Sequence, residues 1–243
     1  KDATGTQADA DDGIVQQALR ALKADLGDST VLMADLCLCE YTDHGHCGPL
    51  TADKTTVDND VTLLRYASVA RAQVEAGADV VAPSGMMDGM VAAMRQGLDE
   101  AGYHHLPIMA YSTKFASAFY GPFRDAVDSS FKGNRATYQL DVANAREALA
   151  ESLQDEREGA DLLMVKPGIA FLDVLRDIRQ HTSRPLAVYQ VSGEYAMIKA
   201  AAAQGVIDER AIALETLIAF KRAGADLIIT YFAQQAAAWL AEH

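Results

Sequence analysis

The chain has 243 residues, 50% of them hydrophobic and 23% charged, with 21 Lys plus Arg against 34 Asp plus Glu and a formal charge of −13. That balance excludes the disordered class, and the absence of any Lys/Arg cluster argues against nucleic acid or an anionic membrane as partner, since both demand a basic patch that displaces counterions. No run approaches the roughly 18 apolar residues that span a bilayer, and residues 1–12 lack the apolar core of a signal peptide, so a cytoplasmic globular protein is expected.

In chain order, the pattern predicts a helix over 14–26 and a strand over 30–36 (TVLMADL). Directly after it come Cys37, Cys39 and Cys47, the three cysteines of the chain, in a loop over 37–48 that also holds His44 and His46. Three crowded thiols make a poor disulfide framework and a credible zinc set, because soft sulfur selects zinc and a catalytic site keeps one position open. A structural zinc, or three buried thiols, is the competing reading. The histidines can be ligands, acid/base groups or partners within the loop. Asp35, at the strand end, can polarise a base or orient a substrate amine, or merely cap the loop.

A helix follows over 60–75, with an interrupted apolar stripe of Val61, Leu64, Ala67, Ser68, Arg71 and Val74 that Val69, Ala70 and Ala72 broaden. Then a phrase recurs three times: Gly77-Ala78-Asp79 before VVAPSG, Gly159-Ala160-Asp161 before LLMVKPG, and Gly224-Ala225-Asp226 before LIITYF. Each reads as a helix ended by a left-handed glycine and followed by a short, wholly apolar, buried parallel strand. Between these junctions lie two further strands, 106–112 (LPIMAYS) and 185–191 (PLAVYQV), and helices over 87–101, 142–158, 171–181, 196–204, 209–222 and 234–241.

Six strands alternating with helices fit an open doubly wound sheet or most of a barrel. Chemical groups at several carboxyl strand ends favour the barrel. The expectation is therefore an α/β fold, a (βα)8 TIM barrel forming one domain over 1–243, of which this chain supplies about six βα units and from which an N-terminal portion is missing.

Lys114 and Lys166 stand at consecutive strand ends, where burial and a second ammonium both favour the neutral, nucleophilic amine. One such lysine would suggest an aldolase. Two would hold two carbonyl substrates covalently in a single water-poor chamber beside the thiolate loop. Salt bridges are the plain alternative, as is a non-catalytic scaffold with open strand edges. The long connection over 113–141 reads as an active-site lid, with Phe119, Tyr120 and Phe123 as apolar cover and Arg124, Lys132 and Arg135 as cations for a carboxylate; Gln139 adds a neutral polar contact. Tyr189, Ser192 and Tyr231 can donate hydrogen bonds at the remaining strand ends.

The segments DLCLCEYTDHGHCG (35–48), YSTKFASAFYGPFR (111–124), LMVKPG (163–168) and YQVSGEYAMIK (189–199) resemble the porphobilinogen synthase family, also called the 5-aminolevulinate dehydratase family. The resemblance runs over essentially the whole chain. It implies a lyase that condenses two molecules of 5-aminolevulinate to the pyrrole porphobilinogen, in tetrapyrrole and heme biosynthesis. Lys166 and Lys114 would form the Schiff bases, and Cys37, Cys39 and Cys47 would bind the catalytic zinc. Asp35 would contact the substrate amine; Arg124, Arg135 and Gln139 would hold one carboxylate, and Tyr189, Ser192 and Tyr231 the other. The resemblance further implies an allosteric magnesium at Glu151 and a homo-octamer held by an N-terminal arm.

Overall fold

The computed structural model describes residues 1–126 and 135–242, with the backbone alone at 124–126. Among these residues the order is α1 (Ile14–Leu26), β1 (Met33–Leu36), α2 (Asn59–Glu75), β2 (Val80–Pro83), α3 (Met90–Glu100), β3 (Met109–Lys114), α4 (Gly121–Ala126), α5 (Ala145–Glu158), β4 (Leu162–Lys166), α6 (Leu172–His181), β5 (Leu186–Gln190), α7 (Ser192–Ala203), α8 (Glu209–Ala223), β6 (Leu227–Thr230) and α9 (Ala233–Ala241). Strand order follows chain order, β1-β2 and β3-β4-β5-β6, and the pairings are parallel. Consecutive parallel strands joined through helices are the repeating unit of the (βα)8 class, and the six strands are its expected share.

The chain divides into two compact units, Lys1–Tyr111 with Ser129–Gln139 and Gln154–Leu162, and Ser112–Asp128 with Leu140–Leu153 and Leu163–His243. In the first unit, β1 and β2 pair from Met33↔Val80 to Leu36↔Pro83, and a bridge Val81↔Ile108 continues the ladder. Every residue of β2 is buried, as a strand covered on both faces requires. Asp58 caps α2 by accepting from the Val61 N–H at 3.2 Å. In the second unit, β4, β5 and β6 pair through Val165↔Val188 and Val188↔Ile228. Leu163, Met164, Val165, Val188 and Phe220 are wholly buried there.

The buried face of α2 differs from the predicted stripe. Val61 is 46% and Leu64 74% exposed; Val69, Ala70 and Val74 turn inward as predicted, and Thr62, Tyr66 and Gln73, which the stripe left out, join them. Thr62 and Gln73 each make one bond there: the Thr62 hydroxyl donates to the Asp58 carbonyl at 2.6 Å and the Gln73 amide N–H to the Asp35 carbonyl at 3.0 Å, while the Gln73 Oε1 has no partner among the described residues. A stripe chosen by hydrophobicity overlooks polar side chains that internal hydrogen bonds hold inward.

The recurring Gly-Ala-Asp phrase has a further role. Its glycines take φ of 110°, 107° and 120°, as the helix-to-strand turn demands. Each aspartate then stitches its strand to the preceding one: Asp79 accepts from the Leu32 N–H at 2.9 Å, Asp161 from Ile108 at 3.0 Å and Asp226 from Leu186 at 2.9 Å. The aspartate N–H groups return bonds to the same three carbonyls.

The segment predicted as a lid loop is partly regular. Lys114 is the last residue of β3, a short 3-10 helix covers Ala118–Tyr120, and α4 follows. Ser117 caps the 3-10 turn by accepting from the Phe119 N–H at 3.1 Å, and Pro122 sits in the first turn of α4, where its missing donor is harmless. Lys132 lies outside the described residues.

Candidate active site

The two lysines are neighbours. Thr113 points towards α5, its hydroxyl donating to the Ala148 carbonyl at 2.9 Å and lying 2.8 Å from the Ser152 hydroxyl. Alternation along β3 therefore turns Ser112 and Lys114 to the opposite face. The Phe115 N–H donates to the Lys166 carbonyl at 3.0 Å, the bond that a parallel ladder makes when Lys114 stands opposite Lys166. Residues so paired lie about 5 Å apart across the ladder. Lys114 is 6% exposed and Lys166 is half-buried.

Aromatic rings line the second lysine. Its Nζ lies 4.1 Å from the Tyr189 ring centre and 5.7 Å from that of Tyr120, whose hydroxyl donates to the Lys166 carbonyl at 3.3 Å. The face of an aromatic ring attracts an ammonium, so the rings aim the side chain while it is charged. Tyr231 joins the same group through Tyr189, with ring centres 6.5 Å apart. Ser192 also braces the segment after β3: its hydroxyl accepts from the Phe123 N–H at 3.1 Å, which ties α4 to the start of α7 and leaves the hydroxyl proton to donate.

Two features hold this framework. The peptide bond between Lys166 and Pro167 is cis, and the turn that follows is clasped by Glu194, a wholly buried carboxylate. Glu194 accepts from the N–H groups of Gly168 (3.2 Å), Ile169 (2.5 Å) and Val191 (2.7 Å). Burial pushes its pKa up, and the three N–H groups pull it back. Next to it, a Cβ on Gly193 would fall 2.4 Å from the Phe119 carbonyl oxygen, a backbone atom that cannot yield cheaply. Gly193→Ala is thus expected to cost about 1–3 kcal/mol of stability, read from a denaturant midpoint, and to displace the turn carrying Tyr120.

In the first unit β1 delivers Asp35 and the cysteine loop. Asp35 accepts from the Ser84 hydroxyl at 2.9 Å and the Tyr111 hydroxyl at 2.8 Å, two partners to which the sequence by itself assigns no role. The three sulfurs lie within 4.8 Å of one another, as the spacing predicted. The loop returns through Thr42, whose hydroxyl donates to the His46 carbonyl at 2.8 Å, and through Gly45 at φ 76°. Residue Asp2 pairs with the loop as well, its N–H donating to Tyr41 and its carbonyl accepting from Asp43.

The sulfurs fit zinc. The Cys39 thiol is pushed well up, first by its hydrogen bond with Cys37, then by Cys47 and burial, because three sulfurs in one pocket resist ionising together. A cation removes that resistance, and tetrahedral zinc at about 2.3 Å from each sulfur needs sulfurs about 3.8 Å apart, inside the observed limit. Arg135, half-buried, donates to the Gly45 carbonyl at 2.9 Å; burial works against its charge, and the nearby cysteines outweigh burial and raise its pKa. Tyr138 meets His46 at 3.1 Å, and burial pushes the imidazole pKa down. Neither histidine joins the sulfur cluster. The buried Gln139 side chain leaves its Nε2 without a partner among the described residues, a donor available to a ligand.

The Arg124 side chain lies outside the described residues. Glu151 sits on α5, and among the described residues the cysteines form the one group of three or more His, Cys, Asp or Glu side chains placed to hold a metal ion. No helix among them is long and apolar enough to cross a membrane.

The family model for delta-aminolevulinic acid dehydratase matches residues 1–239. The chain belongs to that family. It is 58% identical over 240 residues to the delta-aminolevulinic acid dehydratase of Mycobacterium tuberculosis, covering 99% of this chain and 73% of the relative. It is 54% identical over 242 residues to that of Staphylococcus aureus, covering 99% and 74%. The crystal structure of the Toxoplasma gondii delta-aminolevulinic acid dehydratase (porphobilinogen synthase), in complex with the reaction product porphobilinogen, superposes with a TM-score of 0.97 at 46% identity, covering all of this chain and 69% of that one. Within the delta-aminolevulinic acid dehydratase family, three clustered cysteines mark this chain as the zinc type.

Proposed function

We propose that the chain is a lyase of heme and tetrapyrrole biosynthesis that condenses two molecules of 5-aminolevulinate to porphobilinogen with loss of two waters. The observation that carries this reading is Lys114 opposite Lys166 across β3 and β4, since two adjacent amines can hold two ketone substrates covalently side by side. Each amine attacks one ketone carbon, and loss of water leaves an imine whose protonated nitrogen draws electrons from the neighbouring carbon. Carbon–carbon and carbon–nitrogen bond formation then releases both lysines. Zinc held by Cys37, Cys39 and Cys47 would supply Lewis acidity. Asp35, fixed by Ser84 and Tyr111, orients the substrate amine. Arg124, Arg135 and Gln139 hold one carboxylate, and Tyr189, Ser192 and Tyr231 the other, under a cover from Tyr120 and Phe123. A homo-oligomer, an octamer where the N-terminal arm is present, and a cytoplasmic location belong to the same proposal.

Borohydride added with 5-aminolevulinate should reduce the imines and mark Lys114 or Lys166 with a substrate-sized adduct in peptide mass analysis. Protein that turns over without any lysine adduct would refute the imine route.

A further inference from the structure

We infer that Tyr66 is a positioning residue for the thiolate centre, its phenol tying the two ends of the cysteine loop together in a niche that exists because residue 85 is glycine. The inference rests on reading the three cysteines as a metal site. Tyr66 is wholly buried at the middle of α2. Its hydroxyl lies 3.1 Å from the Cys47 carbonyl and 3.7 Å from the Cys37 sulfur, so a single group spans residues ten apart in the chain. A buried phenol hydroxyl is kept only where it has partners, and here both partners belong to metal ligands.

The niche is specific. A Cβ on Gly85 would fall 2.0 Å from the phenol oxygen and 2.5 Å from Cζ, so any side chain at 85 evicts the ring. One turn earlier on the same face, Thr62 closes on the end of the loop, where a Cβ on Gly48 would meet its hydroxyl at 2.2 Å. α2 therefore presents two side chains, Thr62 and Tyr66, that fix where Cys47 returns. With Cys37 as a thiolate, the phenol proton can be donated to sulfur, which lowers the charge the sulfur pushes onto a bound metal. Hydrogen bonds of this kind orient metal ligands and tune their basicity.

The test uses the 243-residue chain, with zinc affinity read by competition against a chromophoric chelator and the sulfur-to-metal charge-transfer band read with cobalt(II). Tyr66→Phe should weaken zinc by about 10–100-fold and move the band to lower energy. Gly85→Ala, which keeps the phenol but displaces it, should weaken zinc similarly. In a Tyr66→Leu background Gly85→Ala should change the affinity by less than about 2-fold, because both substitutions act on one contact. Folded Tyr66→Phe protein with unchanged affinity and band would overturn the inference. If that variant does not fold, unchanged affinity in Gly85→Ala overturns it. A wild-type chain that takes up neither metal defeats the metal reading itself and the inference with it; uptake by wild type and variants alike defeats only the inference.

Discussion

Lys166→Met should reduce pyrrole formation from 5-aminolevulinate by at least about 10³-fold, and Lys114→Met should do the same, because each removes a covalent step that no neighbour can supply. Methionine preserves the length and packing of the lysine stem, so the variants should unfold at denaturant concentrations close to the parent's. The two differ in one respect. Lys166 lies beside the rings of Tyr189 and Tyr120, so its replacement leaves those rings facing an apolar chain, whereas Lys114 is the more deeply buried of the pair. In Lys166→Met the borohydride adduct should shift wholly to Lys114, and the reverse should hold in the partner variant. Turnover within about 10-fold of the parent in either variant would remove that lysine from the chemistry.

Glu194→Ala should destabilise the protein by roughly 3 kcal/mol or more, since it leaves the N–H groups of Gly168, Ile169 and Val191 without their acceptor in a buried place. That is a large share of the roughly 5–15 kcal/mol that holds a domain folded. Glu194→Gln keeps one acceptor oxygen and should cost less. The pair also separates in pH. Burial holds the Glu194 pKa above its ordinary value of 4.5, so between those values the folded state binds more protons than the unfolded chain. The stability linked to this proton is full below pH 4.5 and is lost as pH rises through the raised value. Urea midpoints taken across that range should show the decline in the parent and lose it in Glu194→Gln. A parallel decline in both proteins would assign the slope to another group. Because Glu194 clasps the turn after Lys166, Glu194→Gln should also lower turnover while leaving zinc affinity unchanged.

Several parts of the site were legible in chain order because their chemistry is local. The glycines at 77, 159 and 224 announce helix-to-strand turns wherever the chain goes afterwards, and the apolar runs behind them are strands, wholly buried at β2, buried at the centre of β4 and only half-buried along β6, where the sequence led one to expect full burial. Cysteines at 37, 39 and 47 lie close enough in sequence for one loop to gather them, and the sulfurs do meet. Lysines at successive strand ends were visible as positions, and parallel pairing of β3 with β4 makes them neighbours.

What the sequence by itself determined, then, was the alternation of elements, the soft ligand set and the amines. Tertiary structure alone decided which distant side chains serve them. Tyr66 reads as one more residue on α2 until β2 brings Gly85 beside it, and Thr62 and Gln73 join Val69, Ala70 and Val74 on the inward face of α2 through hydrogen bonds that hydrophobicity does not reveal. Ser84 and Tyr111 become partners of Asp35, and Glu194 of the Lys166 turn, through contacts spanning 26 to 76 residues. Periodicity reports only where a residue's own segment turns it; a hydrogen bond between remote segments exists only after the strands have paired and set the distance between them.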